Sequence, residues 1–281
     1  MRFYSETLSL PASTFIILRD LIHERIGLYY TEEQRDLVAD KLSPRVIALG
    51  FGSFLDYYYL LKYDASAGDE WHVVMNALSV QETFFWREVD QVQTLVNVLL
   101  PRYVAAYPGQ LVRIWSAACA TGEEPLSIAM ALDEAGWFQR AAISILASDA
   151  SPAAIEKARR GVYRQRSFRN LPAHLWTRYF TTAGDTWRID PKIHACVTWA
   201  VANLTVEEDI RHFSTARFIF CRNAFIYFSE RTIRRTVDLF QHYQPTPGYL
   251  FIGASESLLR ITANYQLCEL GGTFVYVKGS C

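Results

Sequence analysis

The stretch Ile114-Trp115-Ser116-Ala117-Ala118-Cys119-Ala120-Thr121-Gly122-Glu123-Glu124-Pro125 decides the fold. An apolar strand runs out into small residues, turns through Gly122 and enters a helix. That is the layout of a nucleotide-binding first crossover, in which backbone must come close to a ligand. Neither GxGxxG nor GxxxxGK is present, so it is not a dinucleotide fingerprint or a phosphate loop. Two acids at the helix start repel pyrophosphate and suit an amino group or a sugar hydroxyl. They also complement the helix dipole, worth roughly 0.3–1 kcal/mol each. The residues alone leave both readings open.

Outward from this turn, short apolar runs alternate with helical stretches. Strands are expected over 111–118, 142–148, 195–202, 216–221 and 249–252, with helices over 124–135, 152–160 and 230–243. Ser151 is a good N-cap for the second of these helices, with Pro152 at its first position. Such alternation predicts an α/β fold with a parallel sheet. Asp149 stands at the tip of the second strand, 27 residues beyond Gly122. An acid there commonly accepts hydrogen bonds from ribose hydroxyls. Paired with the small-residue loop, it points to an adenosine-containing cofactor. The segment 179–200 carries Gly184, Asp185 and Pro191 as turn formers between β-branched and aromatic residues. It reads as a small antiparallel insertion, with an extra surface loop as the neutral alternative.

The chain before about residue 80 reads as helical. Phe15, Leu18, Leu21 and Ile22 recur at helical spacing, and Gly27 stops that helix. Thr31 with Glu32, Glu33 and Gln34 opens a second one, whose register runs through Leu37, Val38 and Leu42. Pro44 should kink or end it. Segments 53–61, with Phe54, Leu55, Tyr58 and Leu61, and 67–78, with Trp71, Val74 and Met75, complete an all-helical domain over 1–80. An α/β domain over 81–281 follows.

With 281 residues, half of them hydrophobic, the chain has enough for one large domain or two ordinary ones. A net charge of −1 gives no bulk electrostatic case for a nucleic-acid partner. The opening residues lack the layout of a signal peptide, and no apolar run approaches the roughly 20 residues needed to cross a bilayer. The five cysteines are widely spaced, with no CxxC, so neither a zinc site nor a disulfide framework is indicated. The expectation is a cytoplasmic protein with reduced thiols and no metal.

Four motifs carry a resemblance. Thr83-Phe84-Phe85-Trp86-Arg87-Glu88 looks like T-x-F-F-R-E. Trp115–Ala118 with Thr121–Pro125 resembles W-S-A-A-x-x-T-G-E-E-P. Cys221-Arg222-Asn223-Ala224-Phe225-Ile226-Tyr227-Phe228 resembles C-R-N-x-x-I-Y-F, and Gly253-Ala254-Ser255-Glu256 resembles G-x-S-E. All four belong, in this order, to the family of chemotaxis receptor glutamate O-methyltransferases, the CheR type. The resemblance spans almost the whole chain.

It implies a helical N-terminal domain and a Rossmann-like S-adenosylmethionine methyltransferase domain with a small antiparallel β-subdomain that touches the receptor. It implies that Thr83, Arg87 and Glu124 hold the methionine part of the cofactor and that Asp149 binds the ribose. Gln81, Ala118, Gly122, Asn203, Leu204, Arg222 and Asn223 would line the rest of the site. The cofactor would be S-adenosylmethionine, the product S-adenosylhomocysteine, and the partner the cytoplasmic domain of a methyl-accepting receptor. A glutamate is already ionised at pH 7, so the chemistry rests on in-line placement in a dry pocket. Arg87 is expected to grip a carboxylate, and Tyr227 to orient the acceptor oxygen or pack beside the methyl group. Two other readings stay open: a different acceptor, and a non-catalytic module that senses the cofactor or its product. Departures from the family pattern are Gln81 for asparagine, Ala254 for histidine, and a second helix keeping Arg35, Lys41 and Arg45 but with Pro44 and Ile47 at positions often basic.

Overall fold

Small residues end the strand Val112–Ala117 (β1) and give way to a turn whose backbone is left-handed at three places, Ala118 (φ 55°), Ala120 (φ 48°) and Gly122 (φ 96°). The turn feeds the helix Glu123–Glu134, which packs back on the sheet. Only glycine fits the last of these positions. A Cβ there would lie 2.8 Å from the Trp199 ring and 3.0 Å from Ala158. The computed structural model describes residues 7–65 and 67–280. The opening Met1–Glu6 segment and Cys281 lie outside the described residues.

Around β1 the chain lays down a mixed α/β sheet of seven strands. Ile143–Asp149 (β2) pairs in parallel with β1. Val162–Tyr163 (β3), Phe180–Ala183 (β4) and Thr186–Ile189 (β5) form a separate antiparallel sheet in the order β3-β5-β4. Val197–Val201 (β6) then returns to pair in parallel with β2. Phe218–Phe220 (β7) joins the other side of β1, and Gly248–Phe251 (β8) pairs in parallel with β7 after the helix Glu230–Tyr243. Gln266–Leu270 (β9) and Thr273–Lys278 (β10) close the sheet antiparallel. The order is β6-β2-β1-β7-β8-β10-β9. The strands after β1 are laid to one side of it (β2, β6) and the later ones to the other (β7, β8), so the strand order reverses between β1 and its parallel neighbour β7. Ligands bind beyond the carboxyl ends of the strands at such a switch point.

The helices at 152–160 and 230–243 form over the expected residues, the first capped by Ser151 Oγ accepting from Ala154 N at 3.1 Å. The small antiparallel sheet is present, but its limits differ from the expected 179–200. Its first strand comes from Val162–Tyr163, earlier in the chain, while Val197–Val201 is claimed by β2 through a five-residue register. Four aromatic rings, Phe85, Tyr163, Phe168 and Phe180, pack edge-on and tilted at centroid distances of 4.8–5.4 Å. They anchor this sheet to the strap before the Val89–Thr94 helix.

A second unit, spanning the described residues up to Val80 together with Tyr227–Ser229, is mainly helical. Ala12–Ile26 ends on Gly27, whose N–H donates to the His23 carbonyl. Phe15, Leu18, Ile22, Val38, Leu42, Phe54, Tyr57, Leu61 and Val74 are buried in it. Leu37 and Leu55 are instead exposed, each one step off the buried face. Pro44 does not end its helix, which runs Arg35–Ala48. Thr31 N donates to Gln34 Oε1 at 3.0 Å just before that helix. Buried Glu70 accepts from Arg45 at 2.5 Å and from Tyr57 at 2.6 Å. Burial acts to raise the Glu70 carboxyl, but these bonds outweigh it and hold it below the ordinary range. Cys119, Cys196 and Cys221 are free thiols.

Candidate functional site

The carboxyl ends of β1, β2 and β7 bring together most of the residues singled out above. Glu124, in the first turn of its helix, accepts from Ser116 Oγ at 2.6 Å on one oxygen and from Arg222 Nε at 2.5 Å on the other. The Arg222 and Glu124 side chains are 3% and 12% exposed, so this pair is largely out of water. Arg222 also donates to the Glu88 carbonyl at 3.0 Å. Next to it, Asn223 is left-handed (φ 59°). Its N–H donates to Glu256 at 2.9 Å and its side-chain amide reaches Glu88 at 3.5 Å. A Cβ on Gly253 would strike that amide, so the two loops can approach this closely only with glycine there.

Asp149 ends β2 as the spacing predicted. One carboxylate oxygen accepts from Ala120 N at 2.9 Å and the other from Ser151 N at 2.8 Å. Burial raises its pKa, and the two backbone donors oppose that. Its own carbonyl accepts from Ala202 N at 3.0 Å, which sets Asn203 and Leu204 beside it. Asn203 Oδ1 is taken up locally by the backbone N–H and hydroxyl of Thr205, and Leu204 is buried. The buried Cys119 thiol is pushed well up by burial and then by the charges of Asp149 and Glu124.

The strap over 81–88 is pinned at Phe85 N to the Ser167 carbonyl and at Trp86 N to Ser127 Oγ. Trp86 (φ 65°) and Glu88 (φ 47°) are both left-handed. Arg87 donates to the Glu82 carbonyl at 3.2 Å and stands 3.8 Å from the Glu88 carboxylate. Gln81 spans a gap: its amide donates to Ser151 Oγ at 3.3 Å and accepts from Lys157 Nζ at 2.8 Å. Thr83 is half-buried nearby in sequence, with no hydrogen-bond partner among the described residues. Tyr227 is grouped with the helical unit, where its carbonyl accepts from Tyr29 N at 2.9 Å.

All five non-glycine residues described with positive φ, Trp86, Glu88, Ala118, Ala120 and Asn223, fall on the strap and the loops after β1 and β7. Such strain, of order 1–3 kcal/mol per residue, clusters where surroundings over-determine a ligand site. The charge census adds four carboxylates (Glu88, Glu124, Asp149, Glu256) against two guanidiniums (Arg87, Arg222). The excess is negative, with no convergent phosphate clamp. That donor set fits a cofactor carrying an ammonium, a sulfonium and ribose hydroxyls, and does not fit a pyrophosphate.

Comparison with known proteins settles which family this is. Residues 81–273 match the family described as "CheR methyltransferase, SAM binding domain", and 13–79 match "CheR methyltransferase, all-alpha domain". The chain belongs to the CheR methyltransferase family. It is similar to chemotaxis protein methyltransferase 2 of Vibrio cholerae serotype O1, 34% identical across 94% of this chain and 92% of that one. It is also similar to the chemotaxis protein methyltransferase of Escherichia coli K12, 31% identical across 94% and 91%. A probable biofilm formation methyltransferase of Pseudomonas putida is 30% identical over 92% of this chain but 60% of its own length.

The methyltransferase is thus S-adenosylmethionine-dependent. Sequence reasoning missed Glu88, Glu256 and Ser116, whose roles are to fix other site residues. Glu256 accepts from backbone N–H groups of both loops, those of Asn223, Phe225 and Ile226 on one and Gly253 on the other. The available signal was that Glu88 and Glu256 each end a quoted motif. Among the described residues no group of three or more His, Cys, Asp or Glu is placed to hold a metal ion. Nor is any helix among them long and apolar enough to cross a membrane.

Proposed function

We propose that this methyltransferase esterifies glutamate side chains on the cytoplasmic domain of a methyl-accepting chemotaxis receptor, working in the cytoplasm. The observation that carries the reading is the excess of carboxylates at the carboxyl ends of β1, β2 and β7, gathered around a strained turn, in a chain of this family. S-adenosylmethionine supplies an activated methyl group on a good leaving group. Thr83, Arg87 and Glu124 hold its methionine part in this reading, and Asp149 its ribose. Gln81, Ala118, Gly122, Asn203, Leu204, Arg222 and Asn223 shape the rest. Glu124 does so as one half of a neutral pair with Arg222, presenting a fixed dipole rather than a bare charge.

The acceptor glutamate needs no base, being ionised at pH 7. What the chain must supply is alignment of the acceptor oxygen, and exclusion of water while opposite charges neutralise. Arg87 grips a carboxylate by a bidentate contact, and Tyr227 orients the acceptor oxygen or packs beside the methyl group. The test is transfer of labelled methyl from S-adenosylmethionine to receptor-bearing membranes, scored as base-labile ester. Arg87→Ala is expected to abolish transfer while the protein stays folded by circular dichroism. A folded, active variant removes that role.

A second reading, a different protein acceptor, is favoured by one observation. The basic helix expected to dock on a receptor keeps little free charge, because Arg45 is paired with Glu70 and Lys41 donates to the Leu78 carbonyl at 3.1 Å. Labelled ester on another protein, with none on receptors, would select it.

A further inference from the structure

A cavity of about 440 Å³ opens on the Glu123 side of the turn, and none of its lining residues belongs to the proposed cofactor set. Its floor holds Glu123, Tyr163 and Ser167, and its rim holds Lys157, Arg160, Arg164 and Arg166. These cations are exposed and belong to a run with no acid between Lys157 and Asp185. Arg164 and Arg166 form no ion pair among the described residues, although Arg166 is near enough to Glu123 and Glu82 to help lower their carboxyls. Arg160 has only a loose exposed contact with Glu156 at 3.6 Å. In a chain of net charge −1, this is a concentrated positive field.

The floor decides what kind of anion fits. Thr121 and Ser167 hydroxyls donate to Glu123 at 2.6 and 2.9 Å, and the Tyr163 hydroxyl donates to the Thr121 carbonyl at 3.0 Å. The donors that would close on a compact phosphate are therefore already used, and a carboxyl group stands where it would sit. The free charge is spread around the rim on long side chains. A string of separated carboxylates on a protein segment matches that arrangement.

We infer that the Lys157–Arg166 rim is the docking surface for an acidic segment of the protein that is methylated, in place of the depleted second helix. This rests on the proposed receptor reading. Lys157 also donates to Gln81, which donates to Ser151, whose N–H donates to Asp149. Docking at the rim therefore touches the same hydrogen-bond chain as the site. Because exposed charges act at a distance, their loss shows mainly as weaker, less salt-sensitive association.

The experiment measures methyl transfer to receptor-bearing membranes by wild type, R164E/R166E and R164K/R166K, alongside calorimetric titration with S-adenosylhomocysteine. The charge-reversed protein should show a KM for receptor raised about tenfold or more, with unchanged S-adenosylhomocysteine affinity. The lysine variant should stay within about twofold of wild type, since charge and not fork geometry is at work. Raising salt should increase the wild-type KM and hardly move that of R164E/R166E. An unchanged KM in R164E/R166E overturns the docking surface, as does competitive loss of transfer with inorganic phosphate at low millimolar concentration, which would make the cavity a small-anion site. If wild type itself labels no receptor, the receptor reading fails instead.

Discussion

Arg45 closes on Glu70 at 2.5 Å in the helical unit, and Arg222 closes on Glu124 at the same distance in the sheet unit. Both glutamates are nearly buried and both have a hydroxyl as second partner, Tyr57 in one case and Ser116 in the other. The contexts differ. Arg45 is 36% exposed and lies on an ordinary helix tied to its neighbours. Arg222 is 3% exposed and is followed by a left-handed Asn223, beside a strap and a turn with four more such residues. The same bond is a staple between helices in one place and part of a ligand-shaped surface in the other. An ion pair alone does not announce a site; the strained backbone around it does.

Removing one partner of each pair is the sharpest way to break this comparison. Glu124→Ala strands a buried guanidinium and should cost about 3–5 kcal/mol in urea denaturation. It should also abolish S-adenosylhomocysteine binding by the protein that remains folded. Glu70→Ala should cost less, about 2–3 kcal/mol, because water reaches Arg45. Its binding heat per folded molecule should match wild type. Equal loss of binding in both variants would erase the distinction between staple and site.

The neighbouring acid offers a smaller and pH-dependent effect. Glu123, unlike Glu124, forms no ion pair among the described residues, and burial raises its carboxyl above the ordinary value of 4.5 against hydrogen bonds from Thr121 and Ser167 and the weaker pull of Arg166. The folded state thus holds its proton more firmly than the unfolded state does. The stability this contributes is fully present below about pH 4.5 and is lost as pH rises through the folded value. Glu123→Gln should therefore gain steadily on wild type from about pH 4.5 towards 7 in paired denaturation curves. A difference that stays constant across that range would assign no buried charge to Glu123.

Much of the sheet unit is legible in the chain because its signals are local. Ser151 and Pro152 announce a helix start, Gly122 a tight turn, and Asp149 the end of a strand. What stays hidden depends on distant partners. Arg222 lies 98 residues from Glu124, and no spacing rule links them. Tyr163 joins a sheet whose other strands come later, through rings gathered by tertiary packing. Pro44 remains inside its helix although proline usually ends one, because the surrounding Val38, Leu42 and Val46 are fully buried and tertiary contacts override local preference. The β9–β10 hairpin carries a local signal in its Gly271-Gly272 pair. Gly271 and Gly272 both adopt positive φ, the requirement of a two-residue hairpin turn.

Calorimetric titration of S-adenosylhomocysteine into wild type and Asp149→Ala tests the cofactor site most directly. The account predicts saturable one-to-one binding by wild type, and at least a hundredfold weaker binding once the carboxylate between Ala120 and Ser151 is gone. Binding by Asp149→Ala as tight as wild type, in a variant that unfolds cooperatively, would place the cofactor somewhere other than the carboxyl ends of β1 and β2 and contradict it.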